Sequence, residues 1–376
     1  MRQVPLATVL REWGRIGVIG FGGPPAHVAL LRDLTVERRR WIDAREFEDA
    51  NAATQLLPGP ASTQLAIFCA HRVAGRLGAL VGGLAFIVPG LLMILAISAV
   101  ALADEPPAWV RGIGAGAAAA VVAVVAQAGF ALGRASLARH HRGALARAIV
   151  YFAAGAAAAV WTGAGVVLVL LACGFVELAW RRRDRLSVLA WPVVLAATGA
   201  AALPELTWTA LKVGALSYGG GFVIIPLMQG DAVDVYGWMT DAEFANAVAY
   251  GQLTPGPVTQ TVAIVGWAAA GLPGALLAAG VAFAPSFLVV ALAGERFERL
   301  RGWDAARAFL DGAGPAAVGA ILGAGVLLLG AVEEAWQYAV LAGAAVLLIL
   351  RRPPLWALAG GAAAGLLAAA VGLPVP

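Results

Sequence analysis

The sequence has little charge. Only 13% of its 376 residues are Asp, Glu, Lys or Arg, whereas 61% are hydrophobic and the mean hydropathy is +0.83. A soluble domain carries about 25% charged residues, so this composition excludes a soluble enzyme, a nucleic-acid binder and a secreted disulfide scaffold. At about 20 residues per bilayer crossing, the length allows on the order of ten crossings. We therefore predict an all-α polytopic membrane protein.

Cysteine and histidine are also scarce. Cys69 and Cys173 lie in apolar stretches and form no disulfide or metal pattern. None of the four histidines pairs with a carboxylate at ligand spacing inside an apolar run, which argues against a membrane-embedded hydrolase or transferase acting on lipid phosphate. No soluble domain for ATP is evident, so a primary pump is disfavoured. We expect no enzymatic activity, no cofactor and no metal.

Long apolar runs dominate the rest of the chain. The clearest predicted spans are 77–103, 109–133, 186–203, 276–294 and 314–331. Residues 148–180 are too long for one helix, and Thr162-Gly163 predicts a hairpin with its break there. Residues 336–350 and 355–372 form a similar pair. The abundance of Gly and Ala suits close packing of helices in lipid.

An internal repeat organises these runs. Residues 41–60 and 238–257 align without a gap at an offset of 197, and ten of the twenty positions are identical. After each Pro-Gly-Pro the offset becomes 196, which pairs Thr63-Gln64 with Thr259-Gln260. The sequence thus predicts two homologous repeats, 1–180 and 206–376, joined at 181–205 by a linker that contains the apolar run 186–203.

The charges of the two repeats oppose each other. Residues 32–45 contain five arginines and three acidic residues, whereas the matching 229–243 contain four acidic residues and no Lys or Arg. By the positive-inside rule, the two repeats face opposite ways across the membrane. Inverted repeats of this kind are typical of secondary transporters that bind substrate near the midplane.

Each repeat has two apolar segments interrupted by helix breakers. Pro removes a backbone donor and Gly permits positive φ, so helices stop at these positions. We interpret 6–34 and 44–75 as re-entrant or broken hairpins with their tips inside the bilayer, where free N–H groups would form an anion cradle. The alternative is that the breaks are kinks that ease packing. The glycines and prolines of the breaks are Gly22, Gly23, Pro24, Pro58, Gly59, Pro60, Gly219, Gly220, Gly221, Pro255, Gly256 and Pro257. The polar residues flanking them are Gln55, Thr63, Gln64, Ser217, Tyr218, Gln252, Thr254, Thr259 and Gln260.

Two cations occupy matching positions in the repeats. Lys212 is the only lysine of the chain, and Arg15 lies at the equivalent place. Because a cation at the bilayer centre costs at least about 3 kcal/mol, each needs a partner or a function. The functional hypothesis is that both neutralise a dianion. The alternatives are snorkelling to the interface or pairing with Glu12 or Glu205.

Three further residues are weaker candidates. His27 is either a donor or proton carrier beside the first break, or a packed and hydrogen-bonded histidine. Glu46 and Glu243 recur in both repeats. They are candidates for proton coupling, or else helix N-terminal charges or ion-pair partners of nearby arginines.

The motifs taken together resemble the chromate ion transporter family in its long, two-domain form. Phe21-Gly22-Gly23-Pro24 with His27, Ser217 to Phe222 and the two Pro-Gly-Pro elements carry this resemblance. It implies that the break residues are functionally important and that chromate is exported from the cytoplasm. It also implies sulfate as a related or competing anion and the proton gradient or anion exchange as the driver.

The prediction is therefore a multi-pass transporter of the bacterial plasma membrane, working by alternating access around a central site. Its expected partners are chromate or sulfate, protons and the lipid bilayer, and homodimerisation is left open. Sulfate uptake, or transport of another oxyanion, is the alternative function.

Overall fold

The computed structural model describes residues 4–55, 57, 59–138, 142–181, 202–217, 222–293 and 304–375. Within these ranges the secondary structure is helical, without strands. The linker predicted at 186–203 lies outside the described residues, except for its last two positions, which begin a helix. The helices are α1 (Leu6–Ile19), α2 (Pro24–Arg32), α3 (Ala44–Thr54), α4 (Ala61–Ala101), α5 (Ala108–Ala138), α6 (Arg142–Trp161), α7 (Val166–Arg181), α8 (Ala202–Leu216), α9 (Ile224–Gln229), α10 (Asp241–Leu253), α11 (Thr261–Ala293), α12 (Asp304–Gly330), α13 (Ala335–Ile349) and α14 (Pro354–Ala370).

The repeat seen in the sequence recurs in the backbone. A π-helical turn follows α2 at Asp33–Arg38 and follows α9 at Gly230–Val235, again at an offset of 197. The long helices α4 and α11 kink at equivalent glycines, Gly75 with φ of 68° and Gly271 with φ of 61°. Positive φ at these positions is accessible to glycine at no steric cost. The two repeats therefore share local geometry as well as sequence.

The interrupted segments of the first repeat turn back on themselves. Trp13, in the middle of α1, stacks on Trp41 beyond the π turn, with ring centroids 6.4 Å apart. Arg39 donates to Glu12 of α1 at 2.6 Å, so the segment that leaves α2 returns beside α1. In the second hairpin an ion pair joins Arg72 to Glu46 at the start of α3. In both segments the chain turns back at the break, as the breakers predicted.

The later helices of each repeat pack on the other repeat. Helix α12 packs against α6 and α7, and α5 packs against α13 and α14. Glycines allow the contact: a Cβ on Gly155 would lie 1.8 Å from the Ala316 carbonyl oxygen, and one on Gly365 would lie 1.8 Å from that of Gly112. Since backbones can approach this closely only where side chains are absent, the glycine pattern fixes which helices are neighbours.

Five helices of the described chain are long and apolar enough to cross a membrane. They cover Ala61–Ala101, Ala108–Ala138, Gly143–Trp161, Val258–Leu292 and Arg307–Gly330. The shorter α13 and α14 form the predicted hairpin, and α6 and α7 are separated at Gly163, as predicted. The chain is a multi-pass, all-α membrane protein.

A buried carboxylate ties α6 to α7. Glu177, with a side chain 2% exposed, accepts from Arg147 at 2.9 and 3.0 Å, from Arg181 at 2.9 Å and from Tyr151 at 3.2 Å. Arg181 also pairs with Asp311 of α12 at 2.8 Å, but the Asp311 side chain is 40% exposed. Burial distinguishes these two ion pairs, since water screens exposed pairs.

Glu177→Gln is expected to lower the free energy of unfolding by about 2 kcal/mol, because the buried amide nitrogen that replaces one carboxylate oxygen cannot accept from Arg147, Arg181 or Tyr151. The isosteric control Asp311→Asn breaks the exposed ion pair between Asp311 and Arg181. It is expected to lower the free energy of unfolding by less than about 1 kcal/mol. Thermal unfolding of the detergent-purified proteins measures both. Equal melting temperatures for the two variants would contradict the assignment.

Candidate functional site

The tip of the first hairpin meets the second Pro-Gly-Pro element. The Gly256 N–H donates to the Gly20 carbonyl at 3.0 Å, and Val258 lies against Gly23. Gly256 has φ of 98° and Gly23 has φ of 71°, backbone that L side chains rarely adopt. Interrupted backbone at membrane depth is tolerated where protein covers it, and here each repeat covers the break of the other.

The long helices make a second, crossed set of contacts with these tips. Gly90 of α4 lies under the second tip, because a Cβ there would be 2.1 Å from the Pro255 carbonyl oxygen. Gln260 donates to the Ile87 carbonyl at 2.7 Å. At the equivalent place in the other repeat, the Ser286 hydroxyl of α11 lies 3.2 Å from where a Cβ on Gly59 would be. The Pro-Gly-Pro tip of each repeat is thus seated on the long helix of the other.

We call the region where the two interrupted tips meet α4 and α11 the crossing. At the crossing, several polar atoms are buried without hydrogen-bond partners in the described structure. They include the Thr63 and Ser286 hydroxyls and the Gln260 carbonyl oxygen, on residues between 0% and 1% exposed. Leaving a buried polar group unpaired costs about 1–3 kcal/mol, so these atoms are candidates for binding a polar ligand or water.

Helix starts surround the same crossing. Helix α2 begins after Gly23 with Pro24 in its first turn, and α4 begins after Pro60. Pro24 and Pro25 have no N–H, and the Ala26 and His27 N–H groups bond the Gly23 carbonyl, so the start of α2 offers no free donor. The first N–H groups of α4 have no partner within that helix, so its start attracts anions. Thr63 lies in the first turn of α4, so its hydroxyl and the helix start are presented together.

His27 holds the first tip in place. It is fully buried, its Nε2 hydrogen-bonds the Gly20 carbonyl at 2.9 Å and its Nδ1 contacts the Ser62 hydroxyl at 3.2 Å. The ring also packs edge-on against Phe86, with centroids 5.0 Å apart. Both ring nitrogens are engaged, which fits the packed, hydrogen-bonded alternative.

The other flanking polar residues fall into two groups. Ser217 and Thr259 are buried and contact each other through their hydroxyls at 3.2 Å, and Thr254 donates to Gly251 at the end of α10. Gln64 is buried near Gly59, 2.5 Å from where a Cβ on that glycine would be. Gln55 is exposed and Gln252 is half-buried, but the Gln252 amide nitrogen Nε2 is itself buried without a hydrogen-bond partner in the described structure. Pro58, Tyr218, Gly219, Gly220 and Gly221 lie outside the described residues.

The two cations differ in their surroundings. The Lys212 ammonium is 9% exposed and pairs with Asp231 at 2.5 Å, a partner that the sequence analysis did not name. Arg15 is exposed and lines a cavity of about 290 Å³ between α1 and the π turn, together with Glu12, Asp33 and Arg38. The structure therefore does not bring Arg15 and Lys212 into equivalent environments.

Both candidate proton-coupling glutamates lie at helix starts. Glu46 is in the first turn of α3 and pairs with Arg72. Glu243 completes a capping box with Thr240 at the start of α10, accepting from its backbone N–H at 2.8 Å. These contacts fit the alternative of helix N-terminal charges and ion pairing.

Ser286 and Asp231 were missed by the sequence analysis. Ser286 follows a proline inside a long apolar helix, and only its equivalence to Gly90 at an offset of 196 marks it. Asp231 was counted as one acidic charge of a loop, and its equivalent is Leu34. In both cases the signal was a polar residue in one repeat where the other has an apolar one or glycine.

The fold and this crossing define a class: a multi-pass membrane protein made of two homologous repeats whose interrupted helices meet inside. The profile of the family described as "Chromate transporter" matches residues 7–178 and 204–366. The chain belongs to the chromate transporter family.

Relatives in this family support the assignment over most of the chain. A "Chromate transport protein" of Cupriavidus metallidurans is 33% identical over 328 residues, covering 84% of this chain and 80% of the relative. A "Probable chromate transport protein" of Synechococcus elongatus is 30% identical over 327 residues, covering 84% and 82%. A "Chromate transport protein" of Pseudomonas aeruginosa is 30% identical over 331 residues, covering 82% and 77%. No solved structure matches the chain.

Gly90→Ala is expected to displace the Pro255-Gly256 tip, since its Cβ would meet the Pro255 carbonyl oxygen at 2.1 Å. Overpacking of this kind lowers stability by about 1–3 kcal/mol. The matched control is Gly280→Ala in α11, where a Cβ would meet nothing within 4 Å. Thermal unfolding in detergent compares them. A Gly90→Ala protein as stable as Gly280→Ala would show that the tip does not rest there.

Proposed function

We propose that this protein is a secondary transporter that exports chromate from the cytoplasm across a bacterial plasma membrane by alternating access. The observation that carries the proposal is the crossing of the interrupted helices, where the Thr63 and Ser286 hydroxyls are buried without partners in the described structure. Family membership supports the substrate class, because three relatives are named for chromate transport. The transmembrane electrochemical gradient supplies the driving force, through protons or anion exchange.

The chemistry of the crossing suits a tetrahedral oxyanion. Hydroxyl groups and the first N–H groups of α4 are donors that can point at several oxygens of one small anion. Such neutral donors stabilise negative charge without a permanent counter-charge, so the anion can leave again. Lys212 lies five positions before Ser217, as Arg15 lies five positions before Gly20; of these two cations, Lys212 is the buried one.

The opposite charges of the two repeats support an inverted arrangement. Arg38 and Val235 end the two π turns at equivalent positions. Arginines flank the first π turn, whereas carboxylates flank the second. With the basic face in the cytoplasm, the first pair of hairpins would open inward and the second outward, and rocking of one repeat against the other would expose the site alternately.

Single cysteines at Arg38→Cys and Val235→Cys are expected to react from opposite sides of the membrane. Both positions are exposed, with Val235 at 56%, and the native Cys69 and Cys173 are buried and give little background. An impermeant maleimide applied to intact cells should label the Val235 variant alone. Labelling of both from the same side would reject the inverted arrangement and the alternating-access mechanism built on it.

Ser286→Ala and Thr63→Val are expected to reduce chromate transport. Each removes one hydrogen bond to a charged ligand, worth about 1.5–3 kcal/mol, which corresponds to roughly a 10- to 100-fold weaker apparent affinity. The control is Ser98→Ala, a buried serine of α4 whose hydroxyl donates to the Ile94 carbonyl at 2.8 Å. Labelled-chromate uptake into everted vesicles measures all three.

Wild-type kinetics in Ser286→Ala and Thr63→Val would remove the crossing as the binding site. Sulfate has the same tetrahedral shape and charge, so the same vesicles are tested with labelled sulfate. A clear preference for sulfate, moving inward in right-side-out vesicles, would replace chromate export by sulfate uptake.

A further inference from the structure

A buried ion pair in the second repeat is not used by the binding site described above. The Asp231 carboxylate oxygen Oδ2 accepts from the Lys212 ammonium at 2.5 Å and from the Thr209 hydroxyl at 2.6 Å. Asp231 is 2% exposed and Lys212 is 9% exposed. The only lysine of the chain is thus held by a carboxylate inside the protein.

The first repeat has no such pair. At the positions equivalent to Lys212, Asp231 and Thr209, it has Arg15, Leu34 and Glu12. Arg15 is exposed, and Glu12 forms an ion pair with Arg39 instead. The pair Lys212–Asp231 therefore has no counterpart at the equivalent positions of the first repeat, and it offers one site for a proton.

We propose that Asp231 is the proton acceptor of the transport cycle, and that its protonation releases Lys212 to bind the oxyanion. This inference rests on the proposed function. A proton from water binds the Asp231 carboxylate and makes it a neutral acid, while Lys212 keeps its three protons and its charge. The ammonium is then left without a counter-charge, and a bound anion supplies one.

The geometry allows Lys212 to serve the crossing. Lys212 lies five positions before Ser217, a rise of about 7.5 Å along α8. Its ammonium points back toward Trp208 and Thr209, so release from Asp231 includes a swing of the side chain toward Ser217. Gly214 packs against the Ala282 backbone of α11, one turn before Ser286. The Trp208 ring lies 5.6 Å from the ammonium and stabilises the cation when the carboxylate is neutral.

Few other charged groups approach this pair. Glu205 lies on α8, Asp234 and Tyr236 follow Asp231, and Asp241 and Glu243 begin α10, while α11 and residues 312–330 of α12 carry no charge. Burial, with a smaller effect of the Asp241 charge, raises the pKa of the Asp234 carboxyl. Any pH experiment must therefore distinguish the effect of Asp234 from that of Asp231.

The sign of the coupling follows from competition for Lys212. Because the anion replaces Asp231 as the partner of the ammonium, anion binding favours protonation of Asp231, and by linkage protonation favours anion binding. Proton and anion then move in the same direction. A dianion leaving with one proton carries one net negative charge, so the inside-negative membrane potential favours export, while the outside-acid pH gradient opposes it.

Proteoliposomes with a trapped pH dye test this coupling. Sulfate is the probe, because chromate takes up a proton near neutral pH and would itself report a pH change. In wild type, a sulfate pulse outside is expected to acidify the interior, and apparent sulfate affinity should rise up to tenfold per unit of decreasing pH.

Asp231→Asn, which fixes the neutral state, is expected to retain sulfate exchange but to abolish interior acidification and to flatten the pH dependence to less than twofold per unit. Asp234→Asn should behave as wild type, Lys212→Arg should retain exchange and Lys212→Met should lose it. A purely structural ion pair would instead lower the stability of Asp231→Asn and leave the proton flux per sulfate unchanged.

Sulfate entry in wild type without acidification, or acidification that persists in Asp231→Asn, would overturn the proposal. If Asp231→Asn does not fold, the wild-type dye measurement and Asp231→Glu, which keeps a titrating carboxylate, decide it. Absence of both sulfate and chromate flux in vesicles containing folded wild-type protein would reject the proposed function itself.

Discussion

The structure depends on how backbone groups are satisfied where helices stop inside the membrane. Lipid offers no hydrogen bonds, so a break is stable only against protein. Here the Gly256 N–H bonds the Gly20 carbonyl, and Gln260 bonds the Ile87 carbonyl, each contact joining one repeat to the other. The central crossing is therefore the interface that holds the two repeats together and also the place where polar atoms collect.

The two repeats share a backbone but differ in electrostatics. Their kinks and π turns coincide at the expected offsets, whereas the buried ion pair Lys212–Asp231 has only Arg15 and Leu34 as its counterpart. The two repeats thus share a fold but not their buried charges. This arrangement suits a carrier that must bind an anion from one side and release it on the other.

The hairpins were predictable because their signal is local. Pro-Gly-Pro and Gly-Gly-Pro stop helices wherever they occur, and Thr162-Gly163 marked the break between α6 and α7. The roles of individual polar side chains were less accessible. His27 is engaged at both ring nitrogens and Glu243 caps a helix, outcomes that the sequence offered only as alternatives, since they depend on neighbours far away in the chain.

Sequence by itself determined the membrane class, the two repeats, the positions of the breaks and the family, because composition, periodicity and motifs are properties of neighbouring residues. Only the tertiary structure decided that Ser286 lies against Gly59, that Asp231 pairs with Lys212, and that Arg15 faces a surface cavity. The physical reason is that burial and pairing of a side chain are set by which helices pack together. In this chain glycine-mediated contacts between the repeats set that packing.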